Sequence, residues 1–344
     1  MKNSRFLKAC RLEPVDATPV WFMRQAGRYM SEYQTLRRKY SLLQLCRTPD
    51  LATEVTLQPV QRIDVDAAIL FSDLLLPFEP MGLHFDFIAG EGPAIENPVR
   101  SSDDIARLKK FEPREALSHV LETIKLVQHE LDERLPLIGF AGAPFTLASY
   151  AIEGGHSNNF GHTKTLMYRH PDAWHQLCEK FSTIVADYLI AQIEAGVNAI
   201  QVFDSWVGVL NQTDYKEFVL PHTRHIFDAI GKRVPTIHFG TGTTTILENL
   251  RDAGGDVIGV DWRLPIDLAW ERIGYSHAVQ GNLDPTLLLG PQERLLEKTE
   301  DILAKVNRQP GHIFNLGHGI LPSTPVENVQ ILAKHVHTIS AQVA

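Results

Sequence analysis

The sequence has few cysteines and no long apolar segment, and both absences narrow the class of protein. Its three cysteines, Cys10, Cys46 and Cys178, form no CxxC pair, so neither a disulfide framework nor a CxxC metal site is expected. No window approaches the roughly 18 apolar residues of a membrane helix, and residues 1–19 carry no apolar run of signal-peptide length. These features predict a cytoplasmic protein that has no membrane partner.

Positive charge is also scarce relative to negative charge. Lys and Arg total 33 against 41 Asp and Glu, a formal net charge of −8, so nucleic acid is not an expected partner. An anionic ligand would have to be held by a local group of cations rather than by the field of the whole protein. Hydrophobic residues make up 44% of the chain, and we predict one packed domain over residues 1–344.

A short apolar run followed by a helical pattern recurs along the chain, without any internal repeat or linker. Such runs are typical of strands buried on both faces of a parallel sheet. They cover residues 19–23, 67–73, 136–142, 199–205, 235–240, 257–262, 278–284 and 312–319. Eight strands alternating with helices predict an α/β fold, a single (β/α)8 barrel of the TIM type, with a doubly wound open sheet as the alternative.

Helices are predicted between the strands from apolar spacing and end signals. They include residues 114–131, 172–196 with Gly196 as C-cap, 243–255 with a threonine as N-cap, and 324–340 with Pro325 in the first turn. Residues 74–99 are rich in Pro and Gly and break the alternation. They predict a long loop or hairpin after strand 2, and long loops of this kind usually serve a site.

The carboxyl ends of the strands are where a barrel carries its active site. The polar and glycine residues at those ends are Arg24, Arg28, Asp73, 141–144, Asp204, Ser205, Gly240, Asp261, Asn282 and 317–319. This set contains no lysine for a Schiff base and no cluster of metal ligands. The histidines elsewhere in helical segments are interpreted as solvated or core-edge residues: His222, His225, His335 and His337.

The arginines are the most informative residues at these ends. Arg24 and Arg28 flank the Gln-Ala-Gly turn of MRQAGRYM, directly after the first predicted strand, and Arg37 follows. Guanidinium groups bind carboxylates or phosphates through paired hydrogen bonds, so we prefer anion recognition over a structural role. Asp73 should face the same mouth. A carboxylate there predicts an anionic ligand that also has a polarisable N–H or cationic centre.

Five segments together carry a resemblance to a known family. PVWFMRQAGRYM, ILFSDLLLPFEPMG, GFAGAPFTLASYAIEGG, QVFDSWVG and NLGHGILP resemble, in this order and over nearly the whole chain, the uroporphyrinogen decarboxylase family. The resemblance implies a (β/α)8 barrel, a homodimer, no cofactor and no metal. It also implies decarboxylation of the four acetate side chains of uroporphyrinogen III, giving coproporphyrinogen III and CO2 in porphyrin and haem biosynthesis.

The same resemblance implies which residues contact the substrate. They are Arg24, Gln25, Ala26, Gly27, Arg28, Arg37, Asp73, Tyr150, Ser205 and His318. Arginines would hold the carboxylates on the rim of the substrate, and Asp73 would accept from the pyrrole N–H groups and stabilise the cationic ring formed on protonation. The proton donor stays open among Arg28, Arg37 and His318.

Two alternatives come from other functional classes. A related barrel methyltransferase would need zinc held by a His-x-Cys element, whereas His238 is followed two residues later by Gly240. A tetrapyrrole carrier or sensor would need the arginines and a cleft. It would have no need of the Asp73 carboxylate.

Overall fold

The fold is built around one curled sheet of parallel strands, in a computed structural model that describes residues 4–88 and 92–341. The strands are β1 Ala68–Ile69, β2 Phe85–Ile88, β3 Gly92–Ile95, β4 Leu137–Gly142, β5 Ala199–Asp204, β6 Thr236–Gly240, β7 Val257–Gly259, β8 Ala278–Gln280 and β9 His312–Ile313. The seven-stranded sheet runs in the order β1-β4-β5-β6-β7-β8-β9, and β2 and β3 form a separate antiparallel pair. Because this order never reverses, the doubly wound alternative is wrong.

Helices separate the successive strands of the sheet, as the alternation predicts. Their bounds are α1 Arg5–Cys10, α2 Ser31–Arg37, α3 Leu42–Arg47, α4 Pro49–Arg62, α5 Phe78–Met81, α6 Ser102–Arg107, α7 Pro113–Ala116, α8 Ser118–Leu131, α9 Pro144–Glu153, α10 Gly161–Arg169, α11 Pro171–Ala195, α12 Gln212–Phe218, α13 Leu220–Ile230, α14 Leu247–Ala253, α15 Ile266–Ile273, α16 Gln292–Val306 and α17 Val326–Ser340. Short 3-10 turns cover Val207–Val209, Thr243–Thr245 and Pro285–Leu289. None of the described helices is long and apolar enough to cross a membrane.

The first predicted strand is not a regular strand, but it joins the two edges of the sheet. Val20 forms an isolated parallel bridge with Phe314, just after β9. On that side Phe314 N donates to the Pro19 carbonyl (2.8 Å) and Trp21 N donates to the Phe314 carbonyl (3.4 Å). On the other side Asp66 N, two residues before β1, donates to the Val20 carbonyl at 2.7 Å. Residues 19–22 therefore lie between β9 and β1.

The inner strands are buried on both faces, which explains their continuous apolar runs. Every residue of β6, β7 and β8 is buried, and the exceptions in β4 and β5 are Phe140 and Phe203. Both phenylalanines lie close to the carboxyl ends of their strands. Their partial exposure marks the place where the sheet opens into a cavity.

Several predicted helix features differ in detail. The predicted helix at 114–131 is divided into α7 and α8, whereas Gly196 caps α11 with a φ of 122°, as predicted. The threonine N-cap is wrong, because Thr243–Thr245 forms a 3-10 turn and α14 begins only after Ile246, whose side chain makes no cap. Residues 74–99 contain α5 and the β2–β3 pair, and residues 89–91 between those strands lie outside the described residues.

A buried acid, Asp66, fixes residues 19–22 against β1. Its Oδ2 accepts from Val20 N and lies within hydrogen-bond distance of His337 Nε2, both at 2.7 Å. The other ring nitrogen of His337 is 3.0 Å from Asp64 Oδ2. Burial opposes the charged imidazole, but hydrogen bonds and charge from Asp66 and Asp64 outweigh it and raise the pKa of His337. His337 on α17 thus supports the joint between the sheet edges through its contact with Asp66.

The raised pKa of His337 predicts a pH-dependent contribution to stability. A folded-state pKa above the unfolded value of about 6.5 stabilises the fold fully below that pH, and this stabilisation is lost as pH rises through the folded pKa. The free-energy difference between the wild type and His337→Gln should therefore shrink in denaturant unfolding as the pH rises above about 6.5 and passes through the folded-state pKa. His335→Gln, which removes a surface contact to Glu300, is the control. A wild-type-to-His337→Gln difference that is constant with pH would contradict the assignment.

Candidate active site

A cavity of about 660 Å³ lies at the carboxyl ends of the parallel strands. Its wall includes Ile69 of β1, Phe140 of β4, Phe203 of β5 and Phe239 of β6. All but one of the sequence-predicted contact residues line it: Arg24, Ala26, Gly27, Arg28, Arg37, Asp73, Tyr150, Ser205 and His318. Residues brought from five separate parts of the chain therefore meet in one place.

Gln25 is the one predicted contact residue that does not line the cavity, and it lies behind the cavity wall. It fixes the conformation of the loop from Arg24 to Arg28, here called the arginine loop. Its buried side chain accepts from Phe22 N (3.1 Å) and donates to the Ala67 carbonyl (3.1 Å). Its main-chain carbonyl accepts from the Tyr29 hydroxyl at 2.6 Å. The loop between Arg24 and Arg28 is thus tied to the segment that leads into β1.

Arg24 has an unusual backbone and a closely fitted side chain. Its φ is 60°, in the left-handed region that non-glycine residues seldom adopt. Its side chain crosses Gly319 so closely that a Cβ at residue 319 would lie 2.4 Å from Arg24 Cδ. Glycine at 319 therefore leaves the room that the Arg24 side chain occupies.

The guanidinium groups of Arg24 and Arg28 have unused hydrogen-bonding capacity. Within residues 4–88 and 92–341 neither group donates a hydrogen bond or forms an ion pair, although both side chains line the cavity. Arg37 differs, because one of its terminal nitrogens donates to the Tyr40 carbonyl at 2.6 Å. Since each guanidinium offers five donors, the cavity presents two forks suited to carboxylates or phosphates.

Asp73 supplies negative charge to the same cavity. Its side chain is half-buried, and one carboxylate oxygen accepts from Leu75 N at 2.9 Å. Loss of hydration raises the pKa of Asp73 to about 6, against the lowering effects of the Leu75 hydrogen bond and the Arg24 charge. At pH 7 a group with that pKa is about nine-tenths ionised. Asp73 is therefore an anion near neutrality, but one that takes up a proton easily.

His318 is neutral under the same conditions. Burial and the nearby charges of Arg24 and Arg263 lower the pKa of His318 to about 4, although Asp261 acts in the opposite direction. Its Nδ1 accepts from Gly319 N at 2.6 Å, which assigns the proton of the neutral ring to Nε2. His318 can donate a hydrogen bond to a ligand, but it holds no imidazolium proton to give at pH 7.

Tyr150 and Ser205 complete the polar part of the wall. Tyr150 is on α9, and its ring packs edge-on against Trp206 with centroids 5.8 Å apart. Burial raises the pKa of the Tyr150 hydroxyl, and the charge of Asp73 adds to this effect. Ser205 directly follows β5, and its carbonyl accepts from the Thr241 hydroxyl at 2.6 Å.

Three phenylalanines form an apolar floor that the sequence reasoning missed. Phe140 and Phe203 meet edge-on with centroids 5.5 Å apart, and Phe203 and Phe239 with centroids 5.9 Å apart. Each stands within two residues of the end of its strand, in GFAG, VFDS and HFGT. A phenylalanine within two residues of the end of three consecutive strands is the signal that would have indicated this floor.

Other strand-end residues do not face the cavity. Asp204 is completely buried and accepts from the Thr146 hydroxyl at 3.0 Å. Asp261 pairs with Arg263, and Asn282 donates to the carbonyls of Asp261 and Leu264. Side chains alternate across a strand, so Asp204 lies opposite to its neighbour Phe203. These residues support the rim of the site instead of lining it.

His238, the residue on which the methyltransferase alternative depends, also points away from the cavity. It is completely buried, and its Nδ1 lies 3.1 Å from the Leu250 carbonyl. Its neighbour Phe239 takes the inward position. In the described part of the chain no three or more His, Cys, Asp or Glu residues are grouped so as to hold a metal.

The chain matches one protein family over nearly its full length. The family model described as Uroporphyrinogen decarboxylase (URO-D) matches residues 1–339. The uroporphyrinogen decarboxylase of Sorangium cellulosum is 56% identical over 338 residues, which cover 98% of this chain and 97% of that protein. The uroporphyrinogen decarboxylase of Carboxydothermus hydrogenoformans is 54% identical over 340 residues, covering 98% and 97%.

Solved structures of other enzymes share the fold. A methyltransferase from Methanosarcina mazei superposes with a TM-score of 0.79 at 21% identity, covering 97% of this chain and 98% of that chain. A B12-independent methionine synthase from Shewanella has a TM-score of 0.57 at 14% identity, covering 85% and 86%. At these identities the likeness concerns the fold alone.

The electrostatics of the cavity predict how Asp73 titrates. Because the Arg24 charge lowers the pKa of Asp73, Arg24→Gln should raise that pKa above its value of about 6 in the wild type. Arg28→Gln is the matched control and should change it less. The measurement is a pH titration of the ¹³C-labelled aspartate carboxyl groups by NMR, with Asp73→Asn used to assign the signal. Equal shifts in both arginine variants would contradict the stronger influence of the Arg24 charge on Asp73.

Proposed function

The chain belongs to the uroporphyrinogen decarboxylase family, and from this premise we propose that it converts uroporphyrinogen III to coproporphyrinogen III and CO2. It removes the carboxylate from each of four acetate side chains, a step of porphyrin and haem biosynthesis. The observation that carries the proposal is one cavity that contains the guanidinium groups of Arg24 and Arg28, which have no partner among residues 4–88 and 92–341, together with the carboxylate of Asp73. This combination suits a ligand that is anionic at its rim and rich in N–H donors at its centre.

The cavity divides the substrate's recognition between charge and apolar contact. Arg24, Arg28 and Arg37 bind carboxylates of the acetate and propionate side chains, while the floor of Phe140 and Phe203 packs against pyrrole rings. Ala26 and Gly27 contribute backbone to the same wall, and Gln25 acts through the loop that it holds. The hydroxyls of Tyr150 and Ser205 and the His318 Nε2–H supply neutral hydrogen bonds.

The chemistry needs a cationic ring intermediate that Asp73 stabilises. Protonation of the pyrrole carbon next to the one bearing the acetate makes the ring an electron sink. The bond to the carboxylate then breaks, its electron pair forms an exocyclic C=C bond to the ring, and CO2 leaves. The exocyclic carbon takes up a proton and becomes a methyl group, and the ring loses the proton that it first gained. With its carboxylate in a partly dry cavity, Asp73 interacts with the developing cation more strongly than it would in water. No cofactor is required, because the substrate's own ring accepts the electron pair.

The protonation states of the cavity residues argue against Arg28, Arg37 and His318 as the proton donor. Arginine keeps its proton in proteins, so Arg28 and Arg37 orient carboxylates rather than give up protons. His318, with a pKa of about 4, is neutral near pH 7 and is a hydrogen-bond donor rather than the acid. Water is then the ultimate source of the proton.

We also propose that the sheet closes into a barrel and that the protein forms a homodimer. The first proposal is supported by the fold and the second by the family resemblance. Residues 19–22 act as the eighth strand of a closed (β/α)8 barrel, a proposal supported by their hydrogen bonds to both sheet edges. The protein works as a homodimer in the cytoplasm, as the resemblance implies.

Incubation of the purified protein with uroporphyrinogen III tests the proposed function. The reaction is run without oxygen and without added cofactor, and the products are separated by their number of carboxylates. We expect complete conversion to the four-carboxylate product with release of CO2. Tight binding without any loss of carboxylate would instead support the carrier alternative.

Removal of one rim guanidinium should weaken both binding and turnover. A charge-assisted hydrogen bond contributes about 1.5–3 kcal/mol, so Arg28→Ala should lose roughly tenfold to a hundredfold in kcat/KM. Arg28→Lys should recover only part of the loss, because a point charge cannot form the planar fork. Steady-state kinetics of both variants measure the effect, and wild-type values in Arg28→Ala would show that Arg28 is not part of the site.

Asp73→Asn keeps the size of the side chain but removes its charge and places an NH2 donor against the pyrrole N–H groups. Since the stabilisation is realised in the transition state, single-turnover decarboxylation should fall roughly 10²–10³-fold, more than substrate affinity does. Asp73→Glu keeps the charge, displaced by one methylene, and should retain part of the activity.

Circular dichroism provides the folding control for both Asp73 variants. Partly decarboxylated intermediates are expected to accumulate with Asp73→Glu, because a displaced charge serves some ring orientations better than others. A folded Asp73→Asn protein with a near-normal single-turnover rate would remove Asp73 from the chemistry.

A further inference from the structure

A second, smaller cavity adjoins the catalytic one. Its volume is about 150 Å³, and its wall includes Ser149, Tyr150, Glu153 and His156. Tyr150 and Pro93 belong to the walls of both cavities. The smaller cavity, here called the side cavity, is therefore separated from the catalytic cavity by little more than the Tyr150 ring and the β3 backbone.

The side cavity connects the exterior of the protein to a buried polar group. At one end it is lined by His156, which is exposed at the surface. The wall also includes Ser149, which is 1% exposed and whose buried hydroxyl has no hydrogen-bond partner in the described part of the chain. A cavity of this size has room for several water molecules, and buried polar groups are normally satisfied by such waters. The side cavity is thus a place where solvent enters the protein.

The reaction creates a need for solvent protons. Each step replaces a carboxylate by a proton: R–CH2–COO⁻ + H⁺ → R–CH3 + CO2. The electron pair of the broken C–C bond ends in the new C–H bond, so four steps consume four protons. Asp73 and His318 cannot hold that many, and on the proposed function the macrocycle occupies the cavity whose wall they form. Protons must therefore arrive from water by another route.

We propose that the side cavity is a hydrated antechamber that delivers solvent protons past Tyr150 to the bound substrate. This inference rests on the proposed function. A tyrosine hydroxyl both accepts and donates a hydrogen bond, so Tyr150 relays a proton from antechamber water to the catalytic cavity. Trp206 packs against the Tyr150 ring at 5.8 Å and is itself part of the antechamber wall, which keeps the ring between the two spaces.

Two glycines near the side cavity allow one substitution that would obstruct it and a matched control that would not. Gly155 lines the side cavity, and a Cβ added to it would have no atom within 4 Å, so Gly155→Leu introduces bulk without a clash at its first carbon. Gly161, at the start of α10, is equally open and lines neither cavity. Gly161→Leu therefore adds the same side chain nearby without reaching the proposed route.

The test compares the wild type, Gly155→Leu and Gly161→Leu in H2O and in D2O. Positioned proton transfer contributes on the order of 10²–10⁴ to a rate, so a partial plug should lower kcat by roughly threefold to tenfold. KM should stay near the wild-type value, and the solvent isotope effect on kcat should increase as proton delivery becomes limiting. Gly161→Leu should match the wild type in all three quantities.

A second variant protects the test against an indirect effect of the leucine on the loop. Ser149→Ala removes only the buried hydroxyl, and it too should lower kcat and increase the solvent isotope effect with KM retained. Wild-type kcat and isotope effect in both Gly155→Leu and Ser149→Ala would overturn the antechamber. Failure of the wild type to decarboxylate uroporphyrinogen is a separate result, and it would overturn the proposed function together with the inference.

Discussion

The site depends on the place where residues 19–22 join the two edges of the sheet. This segment hydrogen-bonds to Phe314 on one side and to Asp66 on the other, so strand ends from the first and last parts of the chain are brought together. The arginine loop follows directly, and its position is therefore set by the joint. Gln25 extends the same bonding to the Ala67 carbonyl, which links the loop to β1. Without the joint, Asp73 after β1 and His318 after β9 would lie at opposite edges of an open sheet.

The arginines near the cavity are of two kinds: one is paired within the protein, and two are available to bind a ligand. Arg263 pairs with Asp261 and lies over the Trp262 ring at 4.4 Å, so its charge is compensated within the protein. Arg24 and Arg28 have no such partner among the described residues, and the Asp73 carboxylate in the same cavity has lost hydration and has a raised pKa. Leaving two cations uncompensated costs stability, since like charges in one cavity repel. A polyanionic ligand removes that cost on binding, and this supports anion recognition as their role.

The sequence predicts the architecture well and the direction of individual side chains poorly. Seven of the eight apolar runs contain strands of the parallel sheet, because burial on both faces leaves a continuous signal, whereas residues 19–23 form only an isolated bridge. Asp204 was placed near the site by its strand-end position, yet its side chain faces away from the cavity. A shift of one residue reverses the face of a strand, and a continuous apolar run does not show which of its residues point to which face. Phe203 and Phe239 were missed for the same reason: within an apolar run, a cavity residue looks like a core residue. The position of Arg24, Arg28 and Asp73 in the cavity wall could be predicted from the sequence. A charged side chain that follows an apolar run is not expected to be buried in an apolar core.

The cavity's charge also bears on how the proposed reaction ends. A fold shared with methyltransferases at 21% identity does not decide the chemistry, so the contents of the cavity must do so. On the proposed function, every step replaces an acetate by a methyl group and removes one negative charge. The electrostatic attraction of Arg24 and Arg28 for the macrocycle therefore weakens with each decarboxylation. The apolar contact with the floor of Phe140, Phe203 and Phe239 is retained. Intermediates with carboxylates left to lose are bound more strongly than the final product, and the same arginines that capture the substrate thus favour completion of the sequence before release.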